Sequence, residues 1–385
     1  MISISDEDRQ RRLVRRLLEG FESVEDAATG LVGIHSTDPA SVHLAVAARG
    51  AAASVPDVET ALYDERRLVR MLGMRRTLFV VPRHLVAVVQ RGHTDSFVAR
   101  ERKRLAGWLE RTGVASDGER HLEKMADLVR AFVAERGEVS TRDLTSAVPD
   151  LDVRFTPPVG SATGTVSVGS RVVLLMTAAG DLVRTRPLGS WISAQYRYTT
   201  TERWLGGAIP AMDPATARAE LARAWLRRYG PGTVTDLQWW TGWNLTHTRA
   251  ALSAVGVVEV GLASGTGYLL ADDIDPQQET ESVALLPALD STPMGWKERD
   301  SYLGDHGRLL FDRNGNVGPT VWWNGRIVGG WAQRPDGEIR VRLLEEVPAS
   351  VHDQIGEAAH RLAEFVGDVR FTPRFRTPLE RELRA

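Results

Sequence analysis

The spacing of apolar residues predicts that the first third of the chain is mainly helical. Apolar residues recur at helical spacing over 6–21, behind an acidic first turn. Asp38-Pro39 is typical of a helix start and predicts a helix over 39–50. Another helix is predicted over 57–74, and the β-rich run RRTLFVVP then predicts a short strand. Helices followed by short strands indicate a winged-helix unit, an order that other folds share.

Two later stretches carry the same pattern, which indicates an internal repeat. Residues 123–148 and 217–243 each contain a helix, a glycine turn, a capping hydroxyl and a short helix. Asp143-Leu144 matches Asp236-Leu237 at an offset of 93 residues. Each stretch then reaches a pair of β-rich runs, which is the order of a helix-turn-helix followed by a wing. We therefore predict tandem winged-helix units, with the N-terminal third as a further copy.

From about residue 283 the pattern changes to short β-rich runs separated by turn signals. Asn314-Gly315, Asn324-Gly325 and Asp336-Gly337 are typical of hairpin turns. At least four short strands predict a small C-terminal β-barrel or sandwich, and a helix over 349–367 is expected to close it.

Together these elements predict an α+β protein with four domains. Winged-helix units are expected at 1–118, 119–208 and 209–280, and the β-barrel domain at 281–385. The stretch 155–170 is rich in Gly, Ser, Thr and Pro, and we predict a mobile loop there inside the second unit.

The composition is that of a folded protein without thiol chemistry. Hydrophobic residues make up 43% and charged residues 25% of the 385 residues. Cys is absent and the nine His show no metal-ligand spacing, so we expect neither a metal nor another cofactor. No apolar run reaches the roughly 18 residues that span a bilayer, and the N-terminus lacks the order of a secretory signal. We expect a cytoplasmic protein with no membrane partner.

Positive charge is concentrated in one segment although the net charge is only −2. Between Asp64 and Arg111 there are twelve basic and five acidic residues. This segment is either a surface that faces phosphates or a solvated helix face. Only three of the 48 basic residues are lysines, at 103, 124 and 297. A biased genome explains this scarcity, but the planar guanidinium also suits phosphates better than an ammonium does.

Four polar residues stand in a row between two apolar segments in GIHSTDP, where His35, Ser36 and Thr37 precede Asp38. Asp38 or Thr37 is a natural cap for the helix that Pro39 opens. Capping does not call for an imidazole at position 35, so His35 is either a buried structural side chain or part of a reactive site.

Four stretches resemble the AlkZ-like winged-helix DNA-binding family. In order along the chain they are GLVGIHSTDPASVHLAVAARG, RRLVRMLGMRRTLFVVPRH, LLPALDSTPMGWKERDSYLG and NVGPTVWWNGRIVGGWAQRPDGEI. The resemblance implies tandem winged helices and a β-barrel in a C shape that holds duplex DNA. It also implies a DNA glycosylase that excises N-alkylated purines and unhooks interstrand crosslinks.

The resemblance locates the family's catalytic motif and reveals a departure from it. The family has Gln–apolar–Gln, or Gln–apolar–Asp, just before an Asp-Pro. In this chain His35 stands at the first Gln, Ser36 at the apolar position and Thr37 at the second Gln. Neither glutamine is present.

An alkylated purine is cationic and leaves as a neutral base, so the main task is to direct a water at the sugar carbon C1′. We predict that His35 activates this water and that Thr37 and Asp38 assist it. A lysine nucleophile would instead form a Schiff base. Because the three lysines lie outside the motif, we predict a monofunctional glycosylase that uses water.

We expect a monomer that binds damaged duplex DNA through basic side chains of the positive segment. The predicted phosphate contacts are Arg75, Arg76, Arg100, Arg102, Lys103 and Arg104. Trp239, Trp240 and Trp243 are predicted to belong to the core of the third unit rather than to stack on bases. Two alternatives stay open: a non-catalytic DNA-binding protein that senses lesions or regulates, and a different nucleic-acid substrate.

Overall fold

A computed structural model describes residues 2–157 and 164–385. The first unit runs from the N-terminus to Pro82 and includes a π-helical turn after its first helix. Its elements are β1 (Ile2–Ser3), α1 (Asp6–Leu13), α2 (Val24–Gly30), β2 (Ile34–His35), α3 (Pro39–Ala47), α4 (Val55–Glu59), β3 (Leu68–Leu72) and β4 (Leu78–Pro82).

The sheet of the first unit has the order β2-β4-β3, so that β2 is an edge strand. Ile34 lies opposite Val80 and His35 lies opposite Phe79 in an antiparallel register. The chain then turns directly into α3, as the Asp-Pro pair predicts.

The second unit is joined to the first by two helices and has its own core. Its elements are α5 (Arg83–Val89), α6 (Asp95–Arg111), α7 (Gly118–Arg136), β5 (Val139–Ser140), α8 (Thr141–Ala147), α9 (Pro149–Asp152), β6 (Arg154–Phe155), β7 (Val166–Ser167), α10 (Val168–Ala179), β8 (Leu182–Pro187), β9 (Tyr196–Thr200) and α11 (Thr201–Leu205). One apolar cluster, from Leu105 to Leu182, fills this unit.

The stretch predicted as a loop over 155–170 is shorter at both ends than expected. β6 pairs with β7 across it, and α10 begins at Val168 because the Ser167 side chain caps the Ser170 amide. Residues 158–163 lie outside the described residues.

The third unit follows the same order as the second. Its elements are α12 (Pro214–Tyr229), α13 (Val234–Thr241), α14 (Leu245–Ala254), β10 (Val257–Leu262) and β11 (Gly265–Leu270). The sheet order is β1-β10-β11, so the first strand of the chain adds to the sheet of this unit.

Matching caps confirm the predicted repeat. Ser140 and Asp143 form a reciprocal capping box at α8, and Thr233 and Asp236 form the same box at α13. In both units a short strand or bridge comes just before the capped helix. In the first unit β2 precedes α3 in the same way, with Asp38 as its cap.

The C-terminal domain is an open sheet, so the predicted barrel is wrong. Its elements are β12 (Val283–Leu286), α15 (Asp300–Leu303), α16 (Gly307–Leu310), β13 (Thr320–Trp323), β14 (Arg326–Gln333), β15 (Ile339–Leu343), α17 (Ala349–Val366) and α18 (Pro378–Arg384). The antiparallel order is β12-β13-β14-β15, and among the described residues the two outer strands do not pair with each other.

Helices on both faces account for the open sheet. Leu285 and Val321 share an apolar cluster with α17, whereas Leu286 and Trp322 share the larger core with Leu379 of α18. Both faces of the sheet are therefore covered without closure.

One apolar cluster joins the first unit, the third unit and the C-terminal sheet. Trp225, Tyr229 and Trp322 are its most deeply buried large aromatic side chains. In the described parts of the chain, no helix is both long and apolar enough to cross a membrane.

Candidate active site

The polar stretch from His35 to Asp38 lies at the junction between β2 and α3. The Ser36 amide donates to the Leu78 carbonyl at 2.8 Å, which continues the pairing with β4. On the other edge, the His35 amide donates to Ser291 Oγ at 3.1 Å, and Ser291 Oγ donates to the Gly33 carbonyl at 3.0 Å. The backbone of this junction is therefore fixed on both sides.

The His35 ring is buried and is uncharged at neutral pH. Its side chain packs edge-on against Phe79, with 5.1 Å between ring centres, and the residue is 3% exposed. Burial, and secondarily the charge of Arg75, lowers the pKa of His35 to about 3. Nδ1 is sealed from solvent and has no hydrogen-bond partner among the described residues.

Thr37 is the most exposed of the four residues, and it is half-buried. Its Oγ1 accepts a hydrogen bond from the Leu78 amide at 3.3 Å. The hydroxyl proton is therefore available to a ligand, since accepting one bond leaves the donor free. Ser36, by contrast, is fully buried and its Oγ has no partner among the described residues.

Asp38 acts as the cap of α3, which confirms the structural interpretation of this residue. Its Oδ1 accepts the Ala40 amide at 3.2 Å and its Oδ2 accepts the Arg374 amide at 2.9 Å. Burial raises the pKa of Asp38, and these two backbone hydrogen bonds oppose the rise.

Two residues that contact the motif, Ser291 and Arg374, were not predicted from the sequence. Arg374 is exposed, and besides its amide contact its Nη1 donates to the Thr37 carbonyl at 3.3 Å. Ser291 lies in the stretch LLPALDSTPMGWK. The resemblance to the family includes this stretch but assigns a role to none of its residues. Asp290 anchors that segment through two hydrogen bonds from the Arg49 guanidinium, at 2.8 and 2.9 Å, and both side chains are fully buried.

Arg75 and Arg76 lie on the turn between β3 and β4, but in different surroundings. The Arg75 guanidinium lies over the Trp239 ring, 4.0 Å from its centre, and is half-buried. The exposed Arg76 lies over Phe97 and 3.7 Å from a Glu101 carboxylate oxygen. Of the predicted DNA contacts, Arg75 is the one whose charge lowers the pKa of His35.

The other four predicted DNA contacts lie on α6. Arg102 pairs at 2.7 Å with an acidic side chain of α7, and Arg104 pairs with a carboxylate of α6 itself. Arg100 and Lys103 are exposed, and neither forms an ion pair with a described residue. The side chains of Arg100 and Lys103 therefore face solvent with their charges uncompensated.

A cavity of about 580 Å³ lies at the far end of α3 from the motif. Residues 47–50, 52 and 53, strand β12 and helix α17 line it, mostly with small apolar side chains. Because His35, Thr37 and Asp38 are not part of its wall, this cavity gives no room for a substrate beside the motif.

The junction can orient a water but is weakly basic. A neutral imidazole offers one donor and one acceptor, and the Thr37 hydroxyl adds a donor. With a pKa of about 3, the His35 ring removes a proton from water poorly.

Comparison with known proteins gives one family and one solved structure. The family model described as "DNA glycosylase AlkZ-like" matches residues 28–365, which include the whole motif. The fold is similar to that of Streptomyces sahachiroi DNA glycosylase AlkZ, with a TM-score of 0.70 and 19% sequence identity over 94% of this chain and 98% of that chain. No curated protein matches the sequence.

Proposed function

Because the chain belongs to the AlkZ-like DNA glycosylase family, we propose that it hydrolyses the N-glycosidic bond of N-alkylated purines in duplex DNA. The observation that carries the proposal is the family match over 28–365, a range that includes His35 and Thr37. The mixed fold and its likeness to a solved glycosylase are consistent with this activity.

In the proposed reaction the bond between C1′ and the purine nitrogen breaks and its electron pair neutralises the cationic base. A water oxygen then bonds to C1′ of the oxocarbenium-like sugar and loses a proton to solvent. His35 and Thr37 hold that water by hydrogen bonds. A strong base is unnecessary because the sugar carbon is already cationic.

The depressed pKa of His35 has a role in this scheme. A ring with a pKa of about 3 stays neutral at physiological pH, so it does not repel the positive charge that develops on the sugar. The Asp38 carboxylate, held by the amides of Ala40 and Arg374, adds favourable negative potential while it caps α3.

We further propose that the three repeated units are winged-helix modules that grip the duplex. Arg100 and Lys103 are exposed and suited to phosphates. Arg76, Arg102 and Arg104 each have an acidic partner, which a DNA phosphate would have to replace. We also propose that the protein acts as a monomer and that its reaction is monofunctional, without a lysine nucleophile. The three lysines lie outside the motif, in agreement with such a reaction.

A non-catalytic DNA-binding role is the second candidate. It is favoured by the 3% exposure of His35 and by the engagement of both Asp38 oxygens. A lesion sensor of this kind would bind damaged DNA and leave the base in place.

The first prediction tests catalysis with His35 variants. Duplexes that carry N7-methylguanine, N3-methyladenine or an interstrand crosslink are incubated with the wild type, His35→Ala and His35→Gln, and base release is measured. We expect His35→Ala to slow release by about 100-fold or more, because the water loses its partner. His35→Gln should retain activity, since it restores the side chain that the family has there.

His360→Ala is the matched control, because that side chain is 75% exposed on α17. Thermal melting identifies variants that fail to fold. Binding of every lesion duplex without base release by the wild type would reject catalysis and favour the sensor.

A further inference from the structure

Two arginines and two aromatic rings form a stack beside the motif, here called the arginine–tryptophan stack. It consists of Arg75, Trp239, Arg299 and Phe311. The Arg75 guanidinium carbon lies 4.0 Å from the centre of the Trp239 ring, and that of Arg299 lies 5.0 Å from the same ring and 4.8 Å from Phe311. All four residues are half-buried, so part of the stack faces solvent.

The stack carries two positive charges without a carboxylate to balance them. The distances to the shared ring place the two guanidinium carbons within 9 Å of each other. Neither Arg75 nor Arg299 forms an ion pair with any residue in 2–157 or 164–385, although Arg299 donates to the Pro293 carbonyl. Arg75 Nε and Arg299 Nη2 are sealed from solvent without a hydrogen-bond partner in these same residues.

Holding like charges together in a half-buried place costs free energy unless an anion joins them. Burial and the charge of Arg299 lower the pKa of Arg75 to about 10, so Arg75 stays charged at neutral pH. The surrounding aromatic rings attract the guanidinium groups but do not neutralise them.

The backbone at Arg75 is also strained. Arg75 has φ 52° and Arg76 has φ 62°, which places two consecutive non-glycine residues in the left-handed region. Such strain persists only where the surrounding structure imposes it, and it is found at ligand sites. Here the strained turn directs the Arg75 side chain onto Trp239 and close enough to His35 for its charge to act on that ring.

We propose that Arg75 and Arg299 bind a backbone phosphate of the DNA strand that carries the lesion. Both guanidinium groups contact the Trp239 ring, and their two positive charges together attract an anion. That this DNA strand is the one with the lesion rests on the proposed function, in which the motif acts on the damaged nucleotide and the stack lies beside the motif. A phosphate in this position also offsets the two positive charges next to the sugar on which positive charge develops.

The second prediction is a change in the salt dependence of DNA binding. Affinity for an undamaged and an N7-methylguanine duplex is measured by fluorescence anisotropy at several salt concentrations. Loss of one phosphate contact in Arg299→Gln should reduce the slope of log K against log salt by about 0.9, and weaken binding roughly 10-fold near 0.1 M salt. Arg299→Lys keeps the charge and should retain the slope.

Arg361→Gln removes the same charge from an exposed ion pair on α17 and serves as the matched control. Equal slopes for Arg299→Gln and Arg361→Gln, with both variants folded, would overturn the phosphate site. Base release by the wild type in that case would leave the proposed function intact. A reduced slope without base release by any protein would instead keep the phosphate site and reject the glycosylase.

Discussion

A histidine that is sealed inside a folded protein loses most of its affinity for protons. His35, His43 and His93 are all in this state, and burial is the main cause in each case. Their pKa values are lowered to about 3, about 3 and about 4, respectively. The unfolded chain, by contrast, takes up these protons near pH 6.5.

The third prediction is that acid destabilises the protein through these three residues. Since the unfolded state binds the protons first, the free energy of unfolding falls as the pH drops from about 6.5 towards 4. At pH 5 the loss is about 2 kcal/mol for each buried histidine. Urea unfolding at pH 7.5 and pH 5.0 measures it.

His43→Phe should remove about one third of that pH dependence, because its ring packs against Trp191 outside the motif. The same pH dependence of the free energy of unfolding in the wild type and in His43→Phe would contradict the role given to the buried His43.

The fourth prediction separates the two roles of Asp38. Asp38→Ser keeps a good helix cap but leaves the Arg374 amide without its partner, so we expect it to lower the free energy of unfolding by about 1 to 2 kcal/mol. Base release should nevertheless fall, because the negative charge beside the sugar is lost. Asp213→Ser makes the same exchange at the exposed cap of α12 and should not affect release. Unchanged release by a folded Asp38→Ser would restrict Asp38 to capping.

At the scale of residues, the sequence predicted the near contacts of the motif and missed the distant ones. The cap at Asp38 follows from the next two residues, so the Asp-Pro pair was enough. The second partner of Asp38 is the Arg374 amide, which is 336 residues away. No local pattern encodes that contact, and the burial of His35 depends on the same kind of long-range packing.

At the scale of elements, the equivalent aspartates of the second and third units, Asp143 and Asp236, form different contacts. Asp143 is exposed and serves only its capping box. Asp236 is fully buried, and its Oδ1 also accepts the amides of Lys297 and Glu298 at 3.0 and 2.9 Å. Those amides belong to the segment that carries Arg299.

The fifth prediction compares alanine at these two equivalent positions. Asp143→Ala should cost about 1 kcal/mol, the usual value of a lost cap. Asp236→Ala should cost about 3 kcal/mol, because two further, partly buried amides lose their partner along with the cap. Urea unfolding of the two variants measures the difference, and equal losses would mean that the extra contacts add nothing.

The positions of strands and turns in the C-terminal domain were predictable from the sequence, but whether the sheet closes into a barrel was not. Asn324-Gly325 joins β13 to β14 and Asp336-Gly337 joins β14 to β15, as the turn signals predict. Asn314-Gly315 closes only a single bridge between Phe311 and Val317. Whether the outer strands meet depends on α17 and α18 covering the faces of the sheet, which the alternation within one strand does not encode.

At the scale of the whole molecule, the candidate site is assembled from distant parts of the chain. Strand β2 and helix α3 supply the motif, the segment after β12 supplies Ser291, and the segment before α18 supplies Arg374. The arginine–tryptophan stack likewise joins the first unit, α13 and the C-terminal domain. The site therefore needs the first unit, the third unit and the C-terminal domain together, although each motif could be recognised alone.

The net charge of −2 conceals how positive charge is distributed. Several arginines of the basic segment are paired with acids, whereas others, among them Arg75 and Arg100, form no ion pair with a described residue. Sequence counting found the segment but could not separate paired from unpaired cations, since ion pairs depend on folding.

A short strand or bridge leads into a capped helix in all three units, and the copy in the first unit holds His35, Thr37 and Asp38. A chain that arises by duplication of such a unit begins with interchangeable copies. One copy can then take on chemistry through a few side-chain replacements, because the backbone of the junction already exists and the sister copies preserve the architecture. Evolution of a new activity in this fold would require no new loop.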